Sequence, residues 1–189
     1  MVTTLLQVTK LMNTMEKLRV STNLVEKYGE HVKVQNDLYG NDVIVDWRPC
    51  AGESATESGL LFESITEDIL KSNPDIRGIT KRPDFYCHFG MKRKGDFECI
   101  HNDNVIHIEC KQLGNAESHF DKLSHVFMNL ISGCYGQNFW LVYDYNLNGK
   151  KSVLKKIDYL ETRCEAIKRQ VALQGITFEY LTLGKLQKI

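Results

Sequence analysis

Polar and apolar residues largely alternate along Asp96-Phe97-Glu98-Cys99-Ile100-His101 and again along Val105-Ile106-His107-Ile108-Glu109-Cys110-Lys111. A period of two predicts two strands, and Asn102-Asp103-Asn104 between them predicts a tight polar turn, hence an antiparallel hairpin. If the turn holds two or four residues, even positions on the first strand oppose odd positions on the second. Asp96, Glu98, His107, Glu109 and Lys111 then share one face, and Phe97, Cys99, Ile106, Ile108 and Cys110 fill the other. A three-residue loop would break this register and part the carboxylates. Upstream, Asp84-Phe85-Tyr86-Cys87-His88-Phe89 alternates as well and reads as the first strand of a three-stranded meander.

The flanking segments carry a helical period instead. Ser54-Ala55-Thr56-Glu57 has the spacing of a capping box, and Leu61, Phe62, Ile65 and Ile69 after it form one apolar stripe with Glu63 on its flank. Asn115 can cap a second helix, whose Phe120, Leu123, Phe127, Leu130 and Ile131 share a face and which ends near Gly133. Phe139 to Tyr143 is a continuous apolar run, the mark of a strand buried on both sides. A long helix is expected over residues 151–174, stopped by Gly175, with a last strand over 176–181. Residues 4–28 place Leu5, Val8, Leu11, Met12, Met15, Leu18 and Val25 at largely helical spacing, as one or two amphipathic helices that cover the core or pair two subunits.

Composition narrows the class. A chain of 189 residues with 42% hydrophobic and 25% charged residues and three prolines fits one ordinary globular domain. The expected division is a helical and extended segment over 1–50 and a core over 54–182. The chain has no run of about twenty apolar residues and no secretion signal at Met1-Val2-Thr3-Thr4, so a cytoplasmic location is expected. Six cysteines lie at 50, 87, 99, 110, 134 and 164 without any Cys-x-x-Cys spacing, which argues against a zinc site built from local pairs. Cys87, Cys99 and Cys110 are expected as reduced residues on the apolar face of three successive strands.

Net charge is zero, but its distribution is uneven. Lys81, Arg82, Lys92, Arg93 and Lys94 face only Asp84 within residues 81–94, either a solvated loop or a basic rim that draws phosphates toward the hairpin. Two carboxylates opposed on one ladder repel each other unless a cation lies between them. The alternative is a hairpin face that simply meets water. Carboxylate oxygens on a rigid ladder suit Mg²⁺, which keeps its remaining positions for water and phosphate oxygens. Lys111, two residues beyond Glu109 on the same face, is placed to orient or activate an attacking water or to offset charge on phosphorus.

Asp96, then Glu109-Cys110-Lys111, with the upstream helical segment Gly59-Leu60-Leu61-Phe62-Glu63-Ser64-Ile65, resembles the PD-(D/E)xK nuclease superfamily, which includes many type II restriction endonucleases. The order of elements over about residues 54–182 (helix, three-strand meander, helix, strand) is similar too. The resemblance implies an α/β fold with a restriction-endonuclease-like core, a mixed central sheet flanked by helices. It implies Asp96 and Glu109 as metal ligands with the Cys110 carbonyl, Lys111 serving the nucleophile, and Glu63 as an accessory acid. The Pro-Asp dipeptide of the family name occurs at Pro83-Asp84, so Asp84 is the alternative first acid; Asp96 is preferred because its strand adjoins that of Glu109. Gln112 either touches substrate or ends the strand. The expected activity is Mg²⁺-dependent DNA cleavage by a homodimer of restriction type. The alternatives are a structure-selective junction or repair nuclease, an RNA-directed relative, or an inactive nucleic-acid-binding module.

Overall fold

The computed structural model describes residues 24–36, 42–47, 55–113, 118–145 and 151–189. The helices expected over residues 4–28 therefore lie outside the described residues except for a helical turn over 24–28, and so do the loop at 48–52 and the capping Asn115. A short hairpin of β1 (Val32–Asn36) and β2 (Asp42–Trp47) precedes α1 (Ala55–Ser72). The chain continues through β3 (Ile76–Lys81), β4 (Asp84–Tyr86), β5 (Lys92–Lys94), β6 (Phe97–His101) and β7 (Asn104–Leu113). It ends with α2 (Ser118–Ile131), β8 (Asn138–Tyr145), α3 (Lys151–Ala172), β9 (Thr177–Leu181) and a single turn, α4 (Leu183–Leu186).

Five strands form the central sheet in the order β3-β6-β7-β8-β9. The first three run as an antiparallel meander, and β8 and β9 add parallel to β7 and to each other. This is the expected mixed α/β sheet. Helix α1 packs on one face, where Phe62, Ile65, Ile69 and Leu70 meet Phe97, Cys99, Ile106, Ile108 and Cys110. On the other face Leu123, Val126, Phe127 and Leu130 of α2 and Leu160, Cys164 and Val171 of α3 meet Phe139, Leu141, Tyr143 and Phe178. Each large aliphatic or aromatic side chain fully buried in these layers contributes roughly 1.5–3 kcal/mol of transfer free energy. Among the described residues no helix is long and apolar enough to cross a membrane.

The hairpin closes with two residues, as the parity argument requires. Phe97 faces Ile108, Glu98 faces His107 and His101 faces Asn104, leaving Asn102 and Asp103 as the turn. Both have positive φ, 49° and 60°, the type I′ geometry whose twist matches that of the strands.

The first meander strand is β3, not the segment at residues 84–89. Arg82 adopts a φ of 57° and its N–H donates to the Asp96 carbonyl at 3.0 Å. The chain thus leaves the sheet after Lys81, makes the separate β4–β5 hairpin and re-enters at Asp96. The period of two in 84–89 is real, but the strand it builds pairs locally with Lys92–Lys94. Cys87 accordingly lies beyond β4 rather than on the sheet, while Cys99 and Cys110 are in the core as expected. The five described cysteines are free thiols.

Candidate active site

Continuing the β6–β7 register by one step sets Asp96 opposite Glu109. Both are buried, at 7% exposure each. Asp96 sits where the antiparallel ladder opens, and its carboxylate takes the place of a ladder carbonyl: the Cys110 N–H donates to Asp96 Oδ2 at 2.7 Å. That bond locks the Asp96 side chain against β7. Lys111 Nζ closes the group, donating to Glu109 Oε2 at 2.7 Å, to the Cys110 carbonyl at 3.1 Å and to Asp96 Oδ2 at 3.5 Å.

Electrostatics follow from this packing. Burial pushes the Glu109 carboxyl up to about 7, against the pull of Lys111 and with a further push from Asp96. Burial alone would favour the neutral amine of Lys111, but the Glu109 and Asp96 carboxylates outweigh it and hold the ammonium charged.

Helix α1 brings Glu63 to the same group. Its Oε2 accepts from Arg82 Nη2 at 3.1 Å, and the other guanidinium nitrogen lies 4.0 Å from Asp96 Oδ1. Burial and then the nearby Asp96 raise the Glu63 carboxyl above its ordinary value. Arg82 thus bridges two acids.

The remaining predicted residues are distributed around this centre. Asp84 is ion-paired with Lys92 at 2.9 Å and with Lys94, on the detached hairpin, so the geometry brings Asp96 and not Asp84 to Glu109. Lys81 pairs with Glu67 at 2.9 Å. The expected basic rim is therefore largely matched by acids. Arg93, Lys94 and Gln112 line a cleft of about 590 Å³ together with Glu109, Cys110 and Lys111.

Sequence reasoning missed another part of that cleft's lining, where His88, Phe89 and Met91 of the hairpin come against His125 and Asn129 of α2. His88 Nδ1 lies 2.6 Å from Asn129 Oδ1, a pairing across 41 residues. The alternation at 84–89 did place His88 apart from Phe85, which packs on Tyr135 with ring centroids 4.9 Å apart.

A cation's fit can be judged from the oxygens present. Asp96 Oδ2, Glu109 Oε2 and the Cys110 carbonyl converge on one point, marked by the Lys111 ammonium. Two carboxylates and a main-chain carbonyl are hard oxygen donors of the kind Mg²⁺ takes. Among the described residues no group of three or more His, Cys, Asp and Glu side chains is placed to hold a metal. Two carboxylates and one carbonyl leave room for water ligands, which fits a partly hydrated hard cation.

No protein-family model matches the chain, and no curated protein matches it. Among solved structures, SfsA of Pyrococcus furiosus in complex with Ca²⁺ aligns over 82% of this chain and 71% of its own, at 13% identity and a TM-score of 0.35. A likeness this distant carries no functional argument.

Proposed function

We propose that the protein is a Mg²⁺-dependent DNA endonuclease that hydrolyses phosphodiester bonds, of the restriction type and acting as a homodimer. The observation that carries this reading is the convergence of Asp96 Oδ2, Glu109 Oε2 and the Cys110 carbonyl within 3.5 Å of one cationic centre at the wall of an open cleft. Bound Mg²⁺ would supply Lewis acidity at the phosphoryl oxygens.

The chain's own residues do the rest. Asp96, Glu109 and the Cys110 carbonyl would hold the ion, with the Asp96 carboxylate fixed in place by the Cys110 amide. Lys111 gives up its contacts with the carboxylates and turns to the substrate, where its ammonium orients the attacking water and offsets negative charge on the phosphoryl oxygens. Water attacks phosphorus in line and gives up a proton to solvent, the bond from phosphorus to the leaving oxygen breaks, and that oxygen takes up a proton from solvent. Glu63, linked to Asp96 through Arg82, is a positioning acid that holds the Arg82 guanidinium beside Asp96.

Plasmid cleavage tests the reading. Cutting is expected with Mg²⁺ and not with EDTA, and it should be lost in Glu109→Ala and in Lys111→Ala. Retained cutting in clean preparations of both variants would overturn the assignment. Cutting of both strands by a measured monomer would remove the dimer.

A further inference from the structure

The cleft has a second half of different chemistry. The His88 main-chain N–H donates to Asn129 Oδ1 at 3.1 Å, and Asn129 Nδ2 donates to the Tyr135 hydroxyl at 3.3 Å, so the tip of the β4–β5 hairpin is tied to α2. The tie fixes a series of three rings: Phe89 and His88 with centroids 3.9 Å apart, then His88 and His125 stacked at 6.4 Å. The outer end of the series is open. Phe89 is 67% exposed and Met91 beside it 46%, although both are large apolar side chains on the wall of a cleft. Arg93 and Lys94, the latter paired with Asp84, line the same cleft.

Aromatic faces next to cations are the chemistry of single-strand recognition. Every base has a π-face to lay on a ring, and the cations follow the backbone. Bases inside a duplex are already stacked on one another and offer no such face. The volume of about 590 Å³ lies within the range of small-molecule sites, enough for one nucleotide.

We infer that the cleft takes an unpaired nucleotide, with its base against Phe89 and Met91 and its phosphate toward Lys111, so that DNA is held at a single-stranded or frayed position and a duplex must open there to be cut. This rests on the nuclease reading of the acid pair and deepens it. The hairpin detached from the sheet is then the substrate-selecting element, and the sheet carries the chemistry.

The test is fluorescence anisotropy of the full chain in EDTA, where no cleavage occurs, with four labelled probes of equal length: an oligodeoxynucleotide strand, its duplex, the corresponding RNA strand, and an abasic strand. The DNA strand is expected to bind at least about tenfold more tightly than the duplex, and Phe89→Ala to weaken it about 5- to 150-fold, the range for losing one base–aromatic stack. The abasic strand should not respond to Phe89→Ala, and Phe89→Trp should retain strand binding. Equal or tighter duplex binding, an unchanged affinity in a folded Phe89→Ala protein, or no binding of any probe would overturn the inference. Tighter RNA binding would overturn its assignment to DNA. Because the readout needs no catalysis, strand-selective binding without cleavage would retire only the nuclease reading, and metal-dependent cleavage without strand preference only this one.

Discussion

Lys111 Nζ stands 2.7 Å from Glu109 Oε2, two residues along the same face of β7, beside the oxygens that would hold the proposed metal ion. One ammonium therefore contacts both buried carboxylates and offsets part of their charge, and under the proposed function a divalent ion would compete with it for them.

Replacing Lys111 by Met exposes that competition. Without the ammonium, Asp96 and Glu109 repel each other in a buried site, and the metal-free variant should be about 3 kcal/mol less stable, the low end for removing one partner of a buried ion pair. Saturating Mg²⁺ should then stabilise Lys111→Met more than the wild type, because no cation has to leave. Urea unfolding with and without Mg²⁺ checks this, and equal Mg²⁺ effects in the two proteins would count against a shared cation site.

The hairpin turn sets the register on which the site depends. Asn102 holds a φ of 49°, and an L-residue without a short polar side chain is strained there. Asn102→Ala should cost about 1 kcal/mol, while Asn102→Gly should cost little or nothing. Since the turn still holds two residues, both variants should keep whatever cleavage activity the wild type shows. Thermal unfolding and plasmid assays read the two effects separately.

His107 gives stability a pH dependence of definite sign. Burial holds its pKa below the ordinary 6.5, with Glu98, 3.1 Å away, opposing the shift. The unfolded chain therefore binds more protons just below that value, so this contribution is fully present above pH 6.5 and is lost as pH falls toward the lower folded value. Glu109 acts in the other sense: its raised pKa stabilises the fold below 4.5, and that contribution is lost as pH rises through about 7. It is common to the wild type and His107→Gln, so the difference between their unfolding curves isolates the histidine. Between about pH 8 and about pH 5.5 the wild type should lose more stability than His107→Gln; parallel curves would contradict this account.

The hairpin and its pairing were legible because side-chain parity and a two-residue turn are local properties. Asp96 beside Glu109 and Lys111 follows from counting once the turn holds two residues. The first meander strand was not legible. Ile76–Lys81 is an edge strand, mostly exposed, with an irregularity between Arg77 and Thr80 at Gly78, whose φ is 62°, so its alternation is lost. The segment at 84–89 alternates better, because Phe85 packs on Tyr135, and so imitates a sheet strand. Helices α1, α2 and α3 showed in the 3.6-residue period, since each lays one apolar stripe on the sheet. The second wall of the cleft joins residue 88 to residue 129, and no local pattern encodes a contact at that separation. Likewise Arg82 read as a free cation of a basic rim, whereas tertiary packing turns it onto Glu63.

Binding of Mn²⁺, a paramagnetic ion that takes the same oxygen ligands as Mg²⁺, measured by electron paramagnetic resonance on the wild type and on Asp96→Asn, addresses the acid pair itself. The wild type should take up one ion per chain at this site, and Asp96→Asn should bind it at least about tenfold more weakly, as loss of an anionic ligand requires. Equal uptake by the two proteins, or none by either, would contradict the assignment of Asp96, Glu109 and the Cys110 carbonyl to a metal.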